Sequence, residues 1–229
     1  MAIAAAVVAV LIAPGLAAHA ASFPGANPQP AAAPQPSAEP GFPLWERVLE
    51  RNQNLGAYRA AVSMKFRESS FPWLGAGFGG TVYFESPGRF AATFTNVPAL
   101  LRQFPGAYDD MMDFAAWPSW FAFTKGPPRV DQGHHDISWH LTALNAKSPL
   151  QSGWIYVNPA NATIDEMDWD LGSMQFDVTQ TFEPFGLDLV LAEQQATIRV
   201  PIARAGATVA FGDYRARVAF LPPVSPKTR

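Results

Sequence analysis

Ten residues, Tyr58 to Arg67, show the pattern that recurs along the chain. Tyr58, Ala60, Val62, Met64 and Phe66 alternate with Arg59, Ser63, Lys65 and Arg67. A period of two with one apolar side predicts an antiparallel strand that is buried on one face and wet on the other. Gly75 to Gly80 then reads as a flexible hairpin loop. Gly80–Glu85 and Arg89–Phe94 resume the alternation, with Val82, Phe84, Phe90, Ala92 and Phe94 on the apolar side. Ser86-Pro87-Gly88 between them carries turn chemistry.

Upstream, the period is helical. Leu44, Val48, Leu49, Asn52 and Leu55 fall on one face of a helix that opens near Pro43 and stops at Gly56. Downstream of Phe94 neither period holds. Asn96 to Ala116 predicts short helices separated by Pro105-Gly106, and the segment is rich in Leu, Met and Phe for a connection. It reads either as a cover over the core or as a lid over an apolar cavity, because Met-rich surfaces adapt to varied apolar partners. Strand signals return at Trp120–Thr124, Asp136–Ala143, Trp154–Val157, Thr163–Asp170, Met174–Gln180, Leu189–Val200 and Thr208–Phe220. The fold class expected is mainly β with a few helices (α+β). One large curved antiparallel sheet or incomplete β-barrel would be lidded by those helices, with a plain sandwich as the alternative.

Residues 1–20 have the form of a secretory signal peptide. Ile3 to Ile12 make a short apolar core, and Ala18-His19-Ala20 fits a cleavage site before Ala21. The alternative is an N-terminal membrane anchor that stays attached. Residues 21–43, dominated by Ala and Pro, predict a disordered or semi-stiff leader. The folded domain is expected over 44–222, with a tail at 223–229.

Composition narrows the function. At 48% apolar residues the chain has enough for a core, and only 15% are charged, which fits a large interior or cavity lining. The net charge of −3, with no basic stripe, argues against nucleic acid as a partner. With no cysteine there is no disulfide, thiolate metal site, thiol nucleophile or lipidated anchor.

Candidate chemistry is sparse. His134, His135, Asp136 and His140 cluster without completing a metal motif. Asp165-Glu166-Met167-Asp168-Trp169-Asp170 supplies paired carboxylates of the kind a glycoside hydrolase uses, but Glu166, Asp168 and Asp170 would point the same way from one strand. No Gly-x-Ser-x-Gly elbow is present, and Gly75–Gly80 precedes a strand where a phosphate loop would precede a helix. No catalytic residue, metal or cofactor is expected.

One resemblance adds to this reading. A helix ending in Asn54-Leu55-Gly56-Ala57-Tyr58 leads to a long strand, followed by a hairpin marked by Gly80, Val82, Phe84, Pro87, Arg89 and Phe90. This order resembles the LolA/LolB-like superfamily of outer-membrane lipoprotein-sorting proteins. Gly153–Pro159 and Asp165–Asp170 are loosely similar to a later region of that family. The resemblance implies a strongly curved, incomplete barrel with an apolar cavity, in a periplasmic or secreted protein that carries lipid or lipoprotein acyl chains and can contact membranes transiently. The lining expected is Val62, Met64, Phe66, Val82, Phe84, Phe90 and Phe94, with Leu100, Leu101, Phe104, Met111 and Met112 on the lid. The bland alternative makes each of these an ordinary core residue. The insert Val97–Trp117 is longer than the family pattern. Arg89 is nearest to the family's cavity-gating arginine, although a solvent-facing salt bridge suits it equally. An envelope-stress sensor that binds a protein partner is the second functional reading, and a glycoside hydrolase a distant third.

Overall fold

The computed structural model describes residues 42–68, 75–99, 104–131, 134–146, 148, 150–170, 175–200 and 203–220. The expected signal peptide, most of the leader and the tail lie outside them. Helix α1 (Phe42–Glu50) and a 3-10 turn (Gln53–Leu55) lead into β1 (Tyr58–Glu68), β2 (Gly75–Glu85) and β3 (Arg89–Thr95). Helix α2 (Phe104–Met112) and the single turn α3 (Trp117–Trp120) follow. The remaining strands are β4 (Phe121–Lys125), β5 (Arg129–Asp131), β6 (His134–Ala143), β7 (Ser152–Asn158), β8 (Thr163–Asp170), β9 (Gln175–Phe185), β10 (Asp188–Val200) and β11 (Ala203–Arg215).

All the strands join one open antiparallel sheet of eleven, in the order β3-β2-β1-β11-β10-β9-β8-β7-β6-β4, with β5 paired to β6. The first and last strands are neighbours, Val62 lying opposite Phe211 and Met64 opposite Val209. The two edges, β3 and β4, are consecutive in the chain. The connection between them therefore joins one edge of the sheet to the other, and its described part with α2 and α3 packs on the inner face. That path explains why the connection is so apolar: it is the roof of the sheet.

Two expectations need correction. Gly75–Gly80 is strand, not loop, paired along its length with β1. At Gly80 a Cβ would lie 2.1 Å from the Thr93 carbonyl oxygen, so this close approach of β2 and β3 requires glycine. Pro105 and Gly106 do not separate two helices but sit in the first turn of α2. Proline is tolerated there because the first turn has no intrahelical partner for its missing N–H.

The inner face carries two apolar clusters. The first is built on β4 and β6–β9 under α1 and α3, with Trp45, Trp117, Trp139, Leu141, Ile155 and Trp169 among its buried members. Trp45 stacks on Trp117 at 5.7 Å, and Trp117 meets Trp169 edge-on at 5.3 Å. The second lies on β1–β3, β10 and β11 under α2, where Val62, Met64, Val82, Phe90, Met111 and Met112 are buried. Phe114, in the connection between α2 and α3, touches both.

Candidate functional site

The predicted lining residues do come together. Val62, Met64, Val82 and Phe90 are buried, and Phe66, Phe84 and Phe94 are half-buried against them, all in the cluster roofed by α2. Met111 and Met112 hang from α2 into the same cluster. Leu100, Leu101 and the side chain of Phe104 lie outside the described residues. The roof is packed onto the sheet: Tyr108 meets Phe90 and Phe94 at 5.6 and 5.9 Å.

Polar contacts also hold α2 down. The Tyr108 hydroxyl donates to Gln194 Oε1 at 2.5 Å, and Gln194 Nε2 donates to Met112 Sδ at 3.2 Å. Asp109 Oδ1 accepts the Ala92 amide of the edge strand at 2.8 Å, which covers one group on an otherwise open edge. Burial pushes the Asp109 carboxyl up to about 7; the Ala92 amide opposes this, while Asp110 and Asp113 add to it. Burial also pushes the Tyr108 hydroxyl well up, so it stays a neutral donor.

At the seam between the clusters lies a small cavity of about 50 Å³. Its roof is the end of α1 together with Asn52, and its floor includes Phe84, Gln180 and Leu191. The β2–β3 turn closes one side. Gly88, at φ +66°, sits where a Cβ would come within 2.5 Å of the Leu49 side chain, so α1 rests directly on this turn. Arg51 lines the cavity, and its guanidinium carbon lies 4.5 Å from the centroid of the Phe182 ring. Desolvation lowers its pKa, only partly opposed by Tyr58 and Asp165. Tyr58 stacks on Phe84 at 4.9 Å, and burial raises its hydroxyl pKa.

Arg51 and Gln194 are the residues that the sequence reading missed. The signal for Arg51 was its spacing, three after Val48 and seven after Leu44, which places a cation on the apolar face of the helix. Gln180 and Gln194 likewise fall in apolar phase, in line with Val178 and Ala196.

The polar clusters singled out in the sequence lie elsewhere. Glu166 pairs with Arg129 at 2.9 Å, and Arg129 stacks over Tyr156 at 4.3 Å. Burial, followed by Glu166 and Asp177, raises Asp168. Asp177 pairs with Arg199. These carboxylates stand side by side on adjacent strands and not across a cleft. His140 stacks on Trp154 at 4.8 Å, and among the described residues no group of three or more His, Cys, Asp or Glu is placed to hold a metal ion. Arg89 pairs with Glu85 at 2.5 Å, half-exposed, in the salt bridge that was the alternative for it.

No protein-family model and no curated protein matches the sequence. Solved structures do share the architecture. A LolA superfamily protein from Nitrosomonas europaea is 9% identical over 79% of this chain and 94% of its own, with a TM-score of 0.54. A domain from Vibrio parahaemolyticus, named for outer membrane lipoprotein sorting, is 10% identical over 79% and 93%, also at 0.54. A DUF1329 family protein from Desulfovibrio piger is 9% identical over 79% and 93%, at 0.56. At these identities the likeness is one of fold: the chain has a LolA-like fold, as its hairpin motif led us to expect.

Proposed function

We propose that the protein is a periplasmic or envelope carrier that holds lipid or lipoprotein acyl chains between α2 and the inner face of β1–β3, β10 and β11. The observation that supports this most is the contrast between what covers that face and what ties the cover down. The face is continuous Val, Met and Phe, and the roof is a nine-residue helix bearing two methionines. The seam cavity of about 50 Å³ is a third of the roughly 150 Å³ that admits benzene. That cavity is too small for an acyl chain, which on this reading enters the face by displacing α2.

The energies allow that exchange. Burying about ten methylenes contributes about 8 kcal/mol at roughly 0.8 kcal/mol each. The Tyr108, Gln194 and Asp109 contacts hold α2 with about 0.5–1.5 kcal/mol apiece. The apolar contacts that Met111 and Met112 give up are replaced by the chain itself. The export expected from residues 1–20 is compatible with this reading.

The chain has no cysteine of its own, so a single Met111→Cys substitution provides a unique reporter. Labelling of that thiol is expected to be slow in the free protein and to speed up when acyl-bearing lipid is added. Organic extraction of the purified protein should also yield lipid by mass spectrometry. No co-purifying lipid, with labelling indifferent to lipid, would reject the carrier; specific capture of an envelope protein in that case would favour the sensor reading.

A further inference from the structure

The seam cavity has groups that do not satisfy one another. Gln180 is only 7% exposed and its Nε2 is buried without a hydrogen-bond partner. Nη1 of Arg51 is in the same condition. Asn52, also 7% exposed, donates its Nδ2 to the Leu189 carbonyl at 2.8 Å and to the Tyr58 hydroxyl at 3.3 Å. That orientation leaves Asn52 Oδ1 buried and unpartnered too. Unpaired buried polar groups are rare because each forfeits its hydration. Three of them, on the adjacent residues Arg51 and Asn52 and on Gln180 of β9, belong to residues that line one cavity.

The charge balance says which occupant. Arg51 contributes one positive charge whose Nη1 is buried without a hydrogen-bond partner, with Asp165 the carboxylate that acts on it electrostatically. Arg89, the other cation on the cavity wall, is already paired with Glu85. A guanidinium over an aromatic ring can still present N–H groups to the two oxygens of a carboxylate. One carboxylate matches one cation, whereas a phosphate monoester, at about −1.5 to −2, would bring an excess of negative charge into the cavity. The opposite wall is apolar, formed by Leu49, Met112 and Leu191. Met112 is at the same time part of the α2 roof, so this wall runs into the face described above.

We propose that the seam cavity is a head-group site for a single-chain carboxylate amphiphile such as a fatty acid. Arg51 and Gln180 take the carboxylate, and the tail leaves along Leu49, Met112 and Leu191 beneath α2. Asn52 Oδ1 adds an acceptor for a water or a ligand hydroxyl without adding negative charge. This names the ligand class of the carrier and rests on that reading for the path of the tail.

The test is calorimetric titration of the purified protein with octanoate, octan-1-ol and octyl phosphate below their micelle concentrations. It is carried out on the wild type and on Arg51→Gln and Gln180→Met. Octanoate is expected to bind one-to-one and about tenfold or more tightly than octanol, the range of a charge-assisted hydrogen bond. Arg51→Gln should remove that advantage and leave octanol unchanged. Gln180→Met should weaken octanoate severalfold while raising the thermal midpoint, because it deletes an unpartnered amide from the interior. This second variant keeps the test open if Arg51→Gln fails to fold. Equal binding of octanoate and octanol, or octanoate binding untouched by both variants, overturns the head-group site but leaves the carrier standing. Tighter binding of octyl phosphate than octanoate overturns the carboxylate assignment. Failure of the folded wild type to bind any of the three overturns the site, and if acyl lipid then also fails to speed labelling of Met111→Cys, the carrier falls with it.

Discussion

The two halves of the inner face pack their apolar side chains in different ways. Under α1 and α3 the contacts are tryptophan on tryptophan, with Trp45 touching Phe114, Trp117, Phe123 and Trp139. Rigid rings locked edge to face have few alternative packings. Under α2 the sheet offers Val, Phe and Ala, the helix offers methionine, and the supporting strand β2 is rich in glycine. Methionine has three rotatable bonds and fills irregular gaps. On the carrier reading proposed above, the first half fixes the sheet and the second exchanges its cover. Arg51 and the seam cavity lie where the two meet.

The largest effect should come from attacking the rigid half. Trp117→Ala is expected to cost about 3–5 kcal/mol and to lower the thermal midpoint by roughly 10 °C, measured by calorimetry on the whole protein. A loss below about 1 kcal/mol would mean that this half is not the anchor. Met112→Ala, on the adaptable side, should cost about 2 kcal/mol while strengthening octanoate binding by enlarging the cavity. A parallel loss of stability and binding would count against any difference between the halves.

Tyr108→Phe removes the hydroxyl that pairs with Gln194 and leaves a buried amide oxygen unpartnered, for a loss of about 1–2 kcal/mol. The change should appear first as faster amide exchange in α2 and not in α1. Uniform acceleration across both would show that α2 does not open separately.

A further effect is a pH dependence that Asp109 gives to the adaptable half. The Asp109 carboxyl is raised from its ordinary value to about 7, chiefly by burial, so the folded state holds a proton that the unfolded chain has released. Its contribution to stability is complete below the ordinary carboxylate range and is lost as pH rises through about 7. The urea midpoint should therefore fall between pH 5 and pH 8 by more in the wild type than in Asp109→Asn. Identical profiles for the two proteins would remove Asp109 as the cause.

Much of the sheet was legible in the chain. The burial of β1 follows its predicted alternation, and the Val82–Phe90–Phe94 side faces inward as expected. The alternation is legible because a pleated strand with one wet face leaves a period of two in the residues themselves. The glycine run of β2 misled because glycine signals a loop by its own preferences. Only the neighbouring backbone of β3 reveals that no side chain would fit there.

Local patterning by itself determined most of the strands, the amphipathic first helix, the turn at Pro87-Gly88 and the apolar character of the connection after Phe94. The tertiary structure alone decided that this connection crosses from edge to edge as a roof, that the tryptophans gather in one half, and that Arg51, Asn52 and Gln180 converge on one cavity. The reason is the range of the interactions. Periodicity is written between residues a few positions apart, whereas Asn52 and Leu189 are 137 positions apart in sequence and meet only once the sheet has closed β1 onto β11.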